Sequence, residues 1–317
     1  MPRVFLYRKF ECEVVDKQIE ATLFRCMSEA GLGPKLVFQS ETFRIEYFFT
    51  GRPLSIWEMR NPVIVKKVVE ELFNFHTKSG ASEAIDAIKP RATSRMGVEI
   101  AIEEWGPASI ERIASIRQKL NAQDAGHRKI LSTLDRLCET YLKNGYQSVL
   151  RSCIPAGEVV LTHNDCQENN ILLSQGDSAN KICLIDYEYG MWNPRMYDLA
   201  NYLNEMCCDN AYPAGTGVAH FLENWATEEE IVNITRLYYQ LEKGENAVWS
   251  LDDEECRQRV HSVKQCMVLN CFYWSVWSIM MLTQEEETDP DIYYWEFIES
   301  KCDMHQMCVE KFGIGQI

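Results

Sequence analysis

The stretch Leu161-Thr-His-Asn-Asp-Cys-Gln-Glu-Asn-Asn-Ile-Leu-Leu173, followed after a short gap by Leu184-Ile-Asp-Tyr-Glu-Tyr189, decides how this chain is read. It sets His163, Asp165 and Asn170 in an H-x-D-x-x-x-x-N spacing and puts Asp186 at the end of an apolar run. Val159 to Leu161 reads as a strand, so Asp165 falls in the loop after it, where a carboxylate can meet an incoming hydroxyl. Asn170 can turn back toward the same cavity and offer a neutral oxygen to a metal. Lys181 to Ile185 reads as a short buried strand that delivers Asp186 beside that loop. Each residue alone is as well explained by a polar cap on a turn. Two motifs in this order, separated by a hairpin-sized gap, are much harder to reach by chance.

The spacing resembles that of protein kinases, which place a proton-accepting Asp and a metal-binding Asn in one loop and a second metal-binding Asp on a following strand. Phosphoryl transfer needs such a set: one carboxylate to take the alcohol proton, and oxygen ligands to hold Mg²⁺ against the phosphates.

Length and composition narrow the alternatives. A chain of 317 residues supports one large or two modest domains. Its formal charge of −15 argues against a nucleic-acid binder, which needs a basic patch, and is compatible with a cationic substrate. Thirteen cysteines lie scattered without C-x-x-C pairs, as expected of reduced, mostly buried thiols in a cytoplasmic protein. Cys302, His305 and Cys308 have a zinc-like spacing, but no second ligand pair follows, and helix packing explains them better. No signal peptide is visible, and the longest apolar stretch, Cys271 to Leu282, is too short to span a bilayer. The acidic runs at Glu228–Glu230 and Glu285–Glu287 read as solvated helix starts.

Along the chain, Val4 to Arg8 reads as a strand, Lys17 to Ala30 as a helix ended by Gly31, and Leu36–Ser40 and Phe43–Phe48 as strands around a turn. Thr50-Gly-Arg-Pro53 reads as a connector. Helical periodicity then dominates over Val63–Lys78, Ser94–Gln118 with an interruption near Gly106-Pro107, and His127–Asn144, and it resumes from Arg195 to the end. The expected fold class is α+β, a two-lobed kinase-like architecture. Residues 1–49 would form part of a strand-rich nucleotide lobe and residues 50–317 a helical catalytic lobe.

The run His163-Asn-Asp-Cys-Gln-Glu-Asn-Asn-Ile-Leu172 closely resembles the H-N-D-x-Q-x-x-N-I-L signature of the choline/ethanolamine kinase family. Ile185-Asp-Tyr-Glu-Tyr189, Tyr197-Asp-Leu-Ala-Asn201 and Gly31-Leu-Gly-Pro-Lys-Leu36 are also similar to segments of that family. The resemblance implies Asp165 as base and Asn170 and Asp186 as Mg²⁺ ligands. It implies Arg8, in Phe5-Leu-Tyr-Arg8, as the phosphate-contacting cation with Glu20 as its helix partner, and the backbone from Glu46 to Phe48 as the adenine-binding hinge. Read without the resemblance, Arg8 is a surface arginine on an edge strand. Members of the family often form dimers, so a homodimer is one state the resemblance allows.

Quaternary ammonium groups cannot donate hydrogen bonds, and proteins hold them with ring faces and nearby carboxylates. Phe272-Tyr-Trp-Ser-Val-Trp-Ser278 places Trp274 and Trp277 on one face of an expected helix. Taken alone, that is more often a core stripe. The resemblance makes it a cation box, with Tyr294 as a further wall, Glu205 as the carboxylate facing the cation and Gln167 beside the base. A ring-dominated pocket, and the Gln at 167, lean toward choline over ethanolamine. Against this, the family often has a tyrosine a few residues after the pocket glutamate, where Cys207-Cys-Asp-Asn210 offers none.

Full-length relatives carry two strands and a phosphate-covering loop before the strand that here starts at Val4, and no glycine-rich phosphate motif occurs elsewhere. The expectation is therefore that either the encoded start is wrong or the protein lacks part of its nucleotide cover. Three readings stand at this stage: an ATP- and Mg²⁺-dependent choline kinase making phosphocholine, a phosphotransferase for ethanolamine or another amino-alcohol, and a catalytically impaired choline-binding family member.

Overall fold

The computed structural model describes the backbone of residues 4–8 and all of residues 16–40, 42–175 and 181–317. The first layer consists of β1 (Val4–Arg8), α1 (Lys17–Glu29), β2 (Leu36–Gln39) and β3 (Phe43–Tyr47). Its sheet is antiparallel in the order β1-β3-β2. Asp16 caps α1 by accepting from the backbone N–H groups of Gln18 and Ile19, which would otherwise be unpaired at the helix start. At Gly33 an added Cβ would lie 2.6 Å from the Tyr187 hydroxyl. A glycine there lets the first layer close onto the residue after Asp186.

The connector expected at Thr50–Pro53 is in fact a strand, β4 (Gly51–Pro53), antiparallel to β6 (Ile171–Ser174). Pro53 is tolerated because β4 is an edge strand of the sheet β4-β6-β7, where a missing N–H breaks no ladder on the far side. Asn61 caps α2 (Pro62–Lys78), whose Ile64, Val65, Val68, Val69, Leu72 and Phe75 form the buried stripe. The short α3 (Ala81–Ile88) follows. The helix expected over Ser94–Gln118 is α4 (Gly97–Ile100), a π-helical stretch Ala101–Trp105 and α5 (Gly106–Lys119). The wide turns precede Pro107, whose ring cannot pair with a carbonyl one turn back. Then come α6 (Ala125–Tyr141) and α7 (Tyr146–Ser152).

The motif region holds four strands rather than the single pair expected. These are β5 (Val159–Thr162), β6, β7 (Ile182–Leu184) and β8 (Met191–Pro194). β5 pairs with β8 and β7 with β6, so the two motif strands are not partners. Beyond them lie α8 (Tyr197–Glu205), the two-residue strands β9 (Cys208–Asp209) and β10 (Ala219–His220), α9 (Glu228–Lys243), α10 (Glu254–Met281) and α11 (Tyr293–Phe312). Every residue of α10 from Cys266 to Ile279 is buried, which makes it the axis against which α8, α9 and α11 pack. No helix among the described residues is long and apolar enough to cross a membrane. Cys302 and Cys308 are buried packing residues, and His305 bonds the Gly315 carbonyl at 2.9 Å, as helix packing requires.

Candidate active site

One buried carboxylate organises the motif loop. Asp198, in the first turn of α8, accepts from the backbone N–H of His163 at 2.8 Å and of Asn164 at 2.9 Å. His76 of α2 reaches the same carboxylate through Nε2 at 2.9 Å and meets the Tyr238 hydroxyl through Nδ1 at 2.7 Å. Burial pushes the Asp198 carboxyl up, but the His76 bond and charge outweigh it and hold the group below the usual carboxylate range. Asn164 adopts φ +70°, unusual for a side-chain-bearing residue. It is fixed there by donation to the Tyr189 carbonyl at 2.6 Å and by acceptance from Thr162 and Asn193 at 2.9 and 2.7 Å. The turn aims Asp165 into the cavity.

His163 links the two motifs. Its Nε2 bonds the Ile185 carbonyl at 2.9 Å, and its Nδ1 accepts from the Asp165 N–H at 3.3 Å. A neutral ring meets both demands, and burial lowers its pKa accordingly. Asp165 Oδ2 accepts from Asn170 at 2.7 Å and Gln167 at 3.2 Å. With its nitrogen committed, the Asn170 amide keeps its oxygen for a cation. The Ile185 N–H bonds the Asn170 carbonyl at 3.0 Å, which brings Asp186, at φ +65°, beside the first loop.

These groups open on a cavity of about 550 Å³ lined by Asp165, Gln167, Asn170, Asp186, Glu188, Tyr189, Glu205, Trp274 and Trp277, with Tyr293 and Phe297 from α11. Tyr189, Trp274 and Trp277 stand edge to face, with centroids 5.2 Å apart for Tyr189–Trp274 and 5.0 Å for Trp274–Trp277. Tyr294 lies behind Trp277 at 5.7 Å, and it is Tyr293 that lines the cavity. Burial, then the charges of Glu205 and Asp186, push the Asp165 carboxyl well up. Burial also raises Asp186, against the lowering influence of His163 and Arg44. Burial and Asp186 bring Glu188 to about 7. Like charges crowded this closely are what a cation bound among them would relieve. No three acidic, His or Cys side chains among the described residues converge to cage a metal. The Asn170 amide oxygen and the Asp186 carboxylate are the oxygens this cavity could offer a hard cation.

A second cavity of about 270 Å³ lies against the first layer, lined by Phe24, Pro34, Arg44, Glu46, Phe48, Phe49, Leu172, Ile185 and Asp186. Asp186 is on the wall of both. The side chain of Arg8 lies outside the described residues. Among the described residues Glu20 pairs with Arg44 of β3, and the expected Arg8 pair lies outside them. Arg44 donates from Nε to Glu46 at 2.9 Å and lies 3.7 Å over the Phe24 ring, and it shares the wall of this cavity with Asp186.

The family model described as "Choline/ethanolamine kinase" matches residues 3–311. The chain belongs to the choline/ethanolamine kinase family. A choline/ethanolamine kinase of Rattus norvegicus is 25% identical over 291 residues, covering 89% of this chain and 66% of its own length. The chain thus spans slightly less than two thirds of that curated relative. A choline kinase structure from Cryptosporidium parvum superposes with TM-score 0.68 at 20% identity, over 97% of this chain and 82% of that one. A Plasmodium vivax ethanolamine kinase gives 0.69 at 19%, over 97% and 77%. The shared fold is kinase-like, with small antiparallel sheets and a mainly helical remainder.

Within this family member the structure brings Asp165, Gln167, Asn170, Asp186, Glu205, Trp274 and Trp277 to one cavity, and Glu46 and Phe48 to the other. Glu205 lies on the cavity wall, and its Oε1 also accepts from the buried Lys301 ammonium at 2.7 Å. The sequence reading assigned no role to Glu188, Tyr189 or Asp198, although all three lie inside the quoted motifs. It gave none to His76, Arg44 or Lys301, which carry no local signal.

One buried acid, Glu168, and one half-buried acid, Glu188, set a pH dependence. Burial raises Glu168, which accepts from Asn210, to about 7, and Glu188 is raised similarly. Their folded values exceed the unfolded ones, so the folded state binds more protons and its stability falls as pH rises toward and through 7. The ligand-free protein is expected to be more stable at pH 5.5 than at pH 7.5, by on the order of 1–2 kcal/mol from Glu168. Thermal melts of wild type and E168Q at the two pH values check this: the variant's curve should be flatter, and equal slopes would refute the assignment.

Proposed function

We propose that this chain is a choline kinase, transferring the γ-phosphoryl group of ATP to the choline hydroxyl to give phosphocholine, with ethanolamine as the alternative alcohol. The observation that carries the reading is the sharing of Asp186 between two cavities. One is apolar and carries Arg44; the other is aromatic and acidic and contains Asp165. A phosphoryl donor in the first and an alcohol in the second would meet at that residue.

In this reading Asp165 takes the hydroxyl proton as the alcohol oxygen bonds to the γ-phosphorus and ADP leaves. Gln167 and Asn170 hold the Asp165 carboxylate in place through Oδ2. Asn170 and Asp186 would hold Mg²⁺, which neutralises phosphate charge when bound. Arg8, and Arg44 beside it in the sheet, would be phosphate-side cations, residues 46–48 the hinge, residues 1–49 part of the nucleotide lobe and residues 50–317 the helical lobe. A cytoplasmic setting would keep the buried thiols reduced.

Choline is favoured over ethanolamine because the ammonium end of the cavity is walled by Tyr189, Trp274, Trp277 and Phe297, which offer ring faces. Each cation–π contact adds about 0.5–2 kcal/mol and needs no hydrogen bond from the ligand. ADP release by the purified chain with ATP and Mg²⁺ tests the reading. Turnover should depend on added alcohol and be faster with choline than with ethanolamine. No alcohol-dependent release, with choline still bound, would overturn the kinase assignment and leave a binding protein.

A further inference from the structure

Lys301 of α11 is fully buried, with its ammonium 2.7 Å from Glu205 Oε1, 3.9 Å from the Cys208 sulfur and 4.6 Å from the Phe297 ring centre. The other Glu205 oxygen faces the Asn210 amide nitrogen at 3.4 Å. Each oxygen of this carboxylate in the alcohol cavity thus has a partner within the protein itself. One of these partners carries a full positive charge. Lys301 lies deeper than the cavity wall, whereas Glu205 and Phe297 lie on it.

The two candidate alcohols make opposite demands on such a site. A primary ammonium is strongly hydrated and must exchange its water for hydrogen-bond acceptors, best of all a carboxylate. A quaternary ammonium donates nothing and asks only for ring faces and a tolerable potential. Pairing Glu205 with an internal ammonium offsets its charge and weakens it as an acceptor for the first, and it leaves the rings that the second uses.

We infer that Lys301 is a specificity-determining residue, a tethered ammonium that occupies Glu205 and so discriminates against primary-ammonium alcohols in favour of quaternary ones. This rests on the amino-alcohol reading above, and the test separates the two. Dissociation constants for choline and ethanolamine are measured without ATP, from quenching of tryptophan fluorescence, on wild type, K301M and E205Q/K301M. In K301M the ratio of the ethanolamine constant to the choline constant should fall by at least about tenfold, the scale of one charge-assisted hydrogen bond. The gain should vanish in E205Q/K301M, where no carboxylate remains to be exposed. If K301M proves too unstable to assay, K301Q should shift the ratio in the same sense, because it keeps a donor for Glu205 but no charge. A folded K301M with the wild-type ratio, while wild type phosphorylates choline, overturns the Lys301 assignment alone. If neither choline nor ethanolamine binds wild type or any variant, both readings are overturned.

Discussion

Replacing Asp165 with Asn is expected to lower alcohol-dependent ADP release by about 10²–10⁴-fold, the usual worth of a positioned proton acceptor, while choline still binds. Asn has the shape of Asp and can still accept from Asn170 and Gln167, so the loop has no reason to move. It cannot take a proton from the alcohol. The same change should raise the melting temperature of the ligand-free protein. Asp165 is buried near Glu205 and Asp186, and that crowding is what pushes its carboxyl up. A neutral amide removes one member of the crowd, so the residue that costs stability is the one the chemistry requires. Steady-state assays and thermal melts of D165N measure both effects. Residual turnover within tenfold of wild type would exclude Asp165 as the base, and an unchanged or lower melting temperature would show that the acidic cluster is not strained.

Much of this was legible in the sequence because the chemistry is local. Asp165, Gln167 and Asn170 lie within one loop, and their spacing alone decides that they can share a cavity. The helices with strict periodicity, such as α2, were equally readable. Legibility ended where partners come from far along the chain. Glu205 and its capping Lys301 are joined only by the packing of α8 and α11 against α10, and no spacing rule reports a buried lysine. Arg44 had no signature of its own; the antiparallel register of β2 and β3 and the docking of α1 place it on Glu20. The strand pairing was misjudged for a related reason. β4 and β8 are short and carry prolines, which reads locally as connection, yet each finds an edge where the missing N–H costs nothing. Trp274 and Trp277 are indistinguishable from core in sequence, and in the structure they are both buried and on the cavity wall.

The largest effect on stability is expected at Asp198. This carboxylate is wholly buried and is the meeting point of the His163 and Asn164 backbone N–H groups and the His76 ring. In D198N one carboxylate oxygen becomes an amide nitrogen, which carries hydrogens and cannot accept. Either one backbone N–H faces a donor or the amide rotates and leaves another contact unpaired. Breaking a buried, charge-assisted arrangement of this kind costs about 3–5 kcal/mol, a large share of the total stability of an ordinary domain. A marked drop in melting temperature, read by calorimetry, is the expected result. The loss should also reach the chemistry. The Asp198 bonds hold the backbone on which Asn164 keeps its positive φ, and that turn aims Asp165. In the fraction still folded at low temperature, kcat should therefore fall more steeply than choline affinity, which is set mainly by rings on α10 and α11. H76Q offers the graded comparison: it removes one contact on Asp198 and leaves both backbone bonds, so it should destabilise less and spare kcat. If D198N melts within a degree of wild type, the anchoring role is wrong. If its choline affinity falls as steeply as its kcat, Asp198 supports the whole cavity rather than the loop that carries the base.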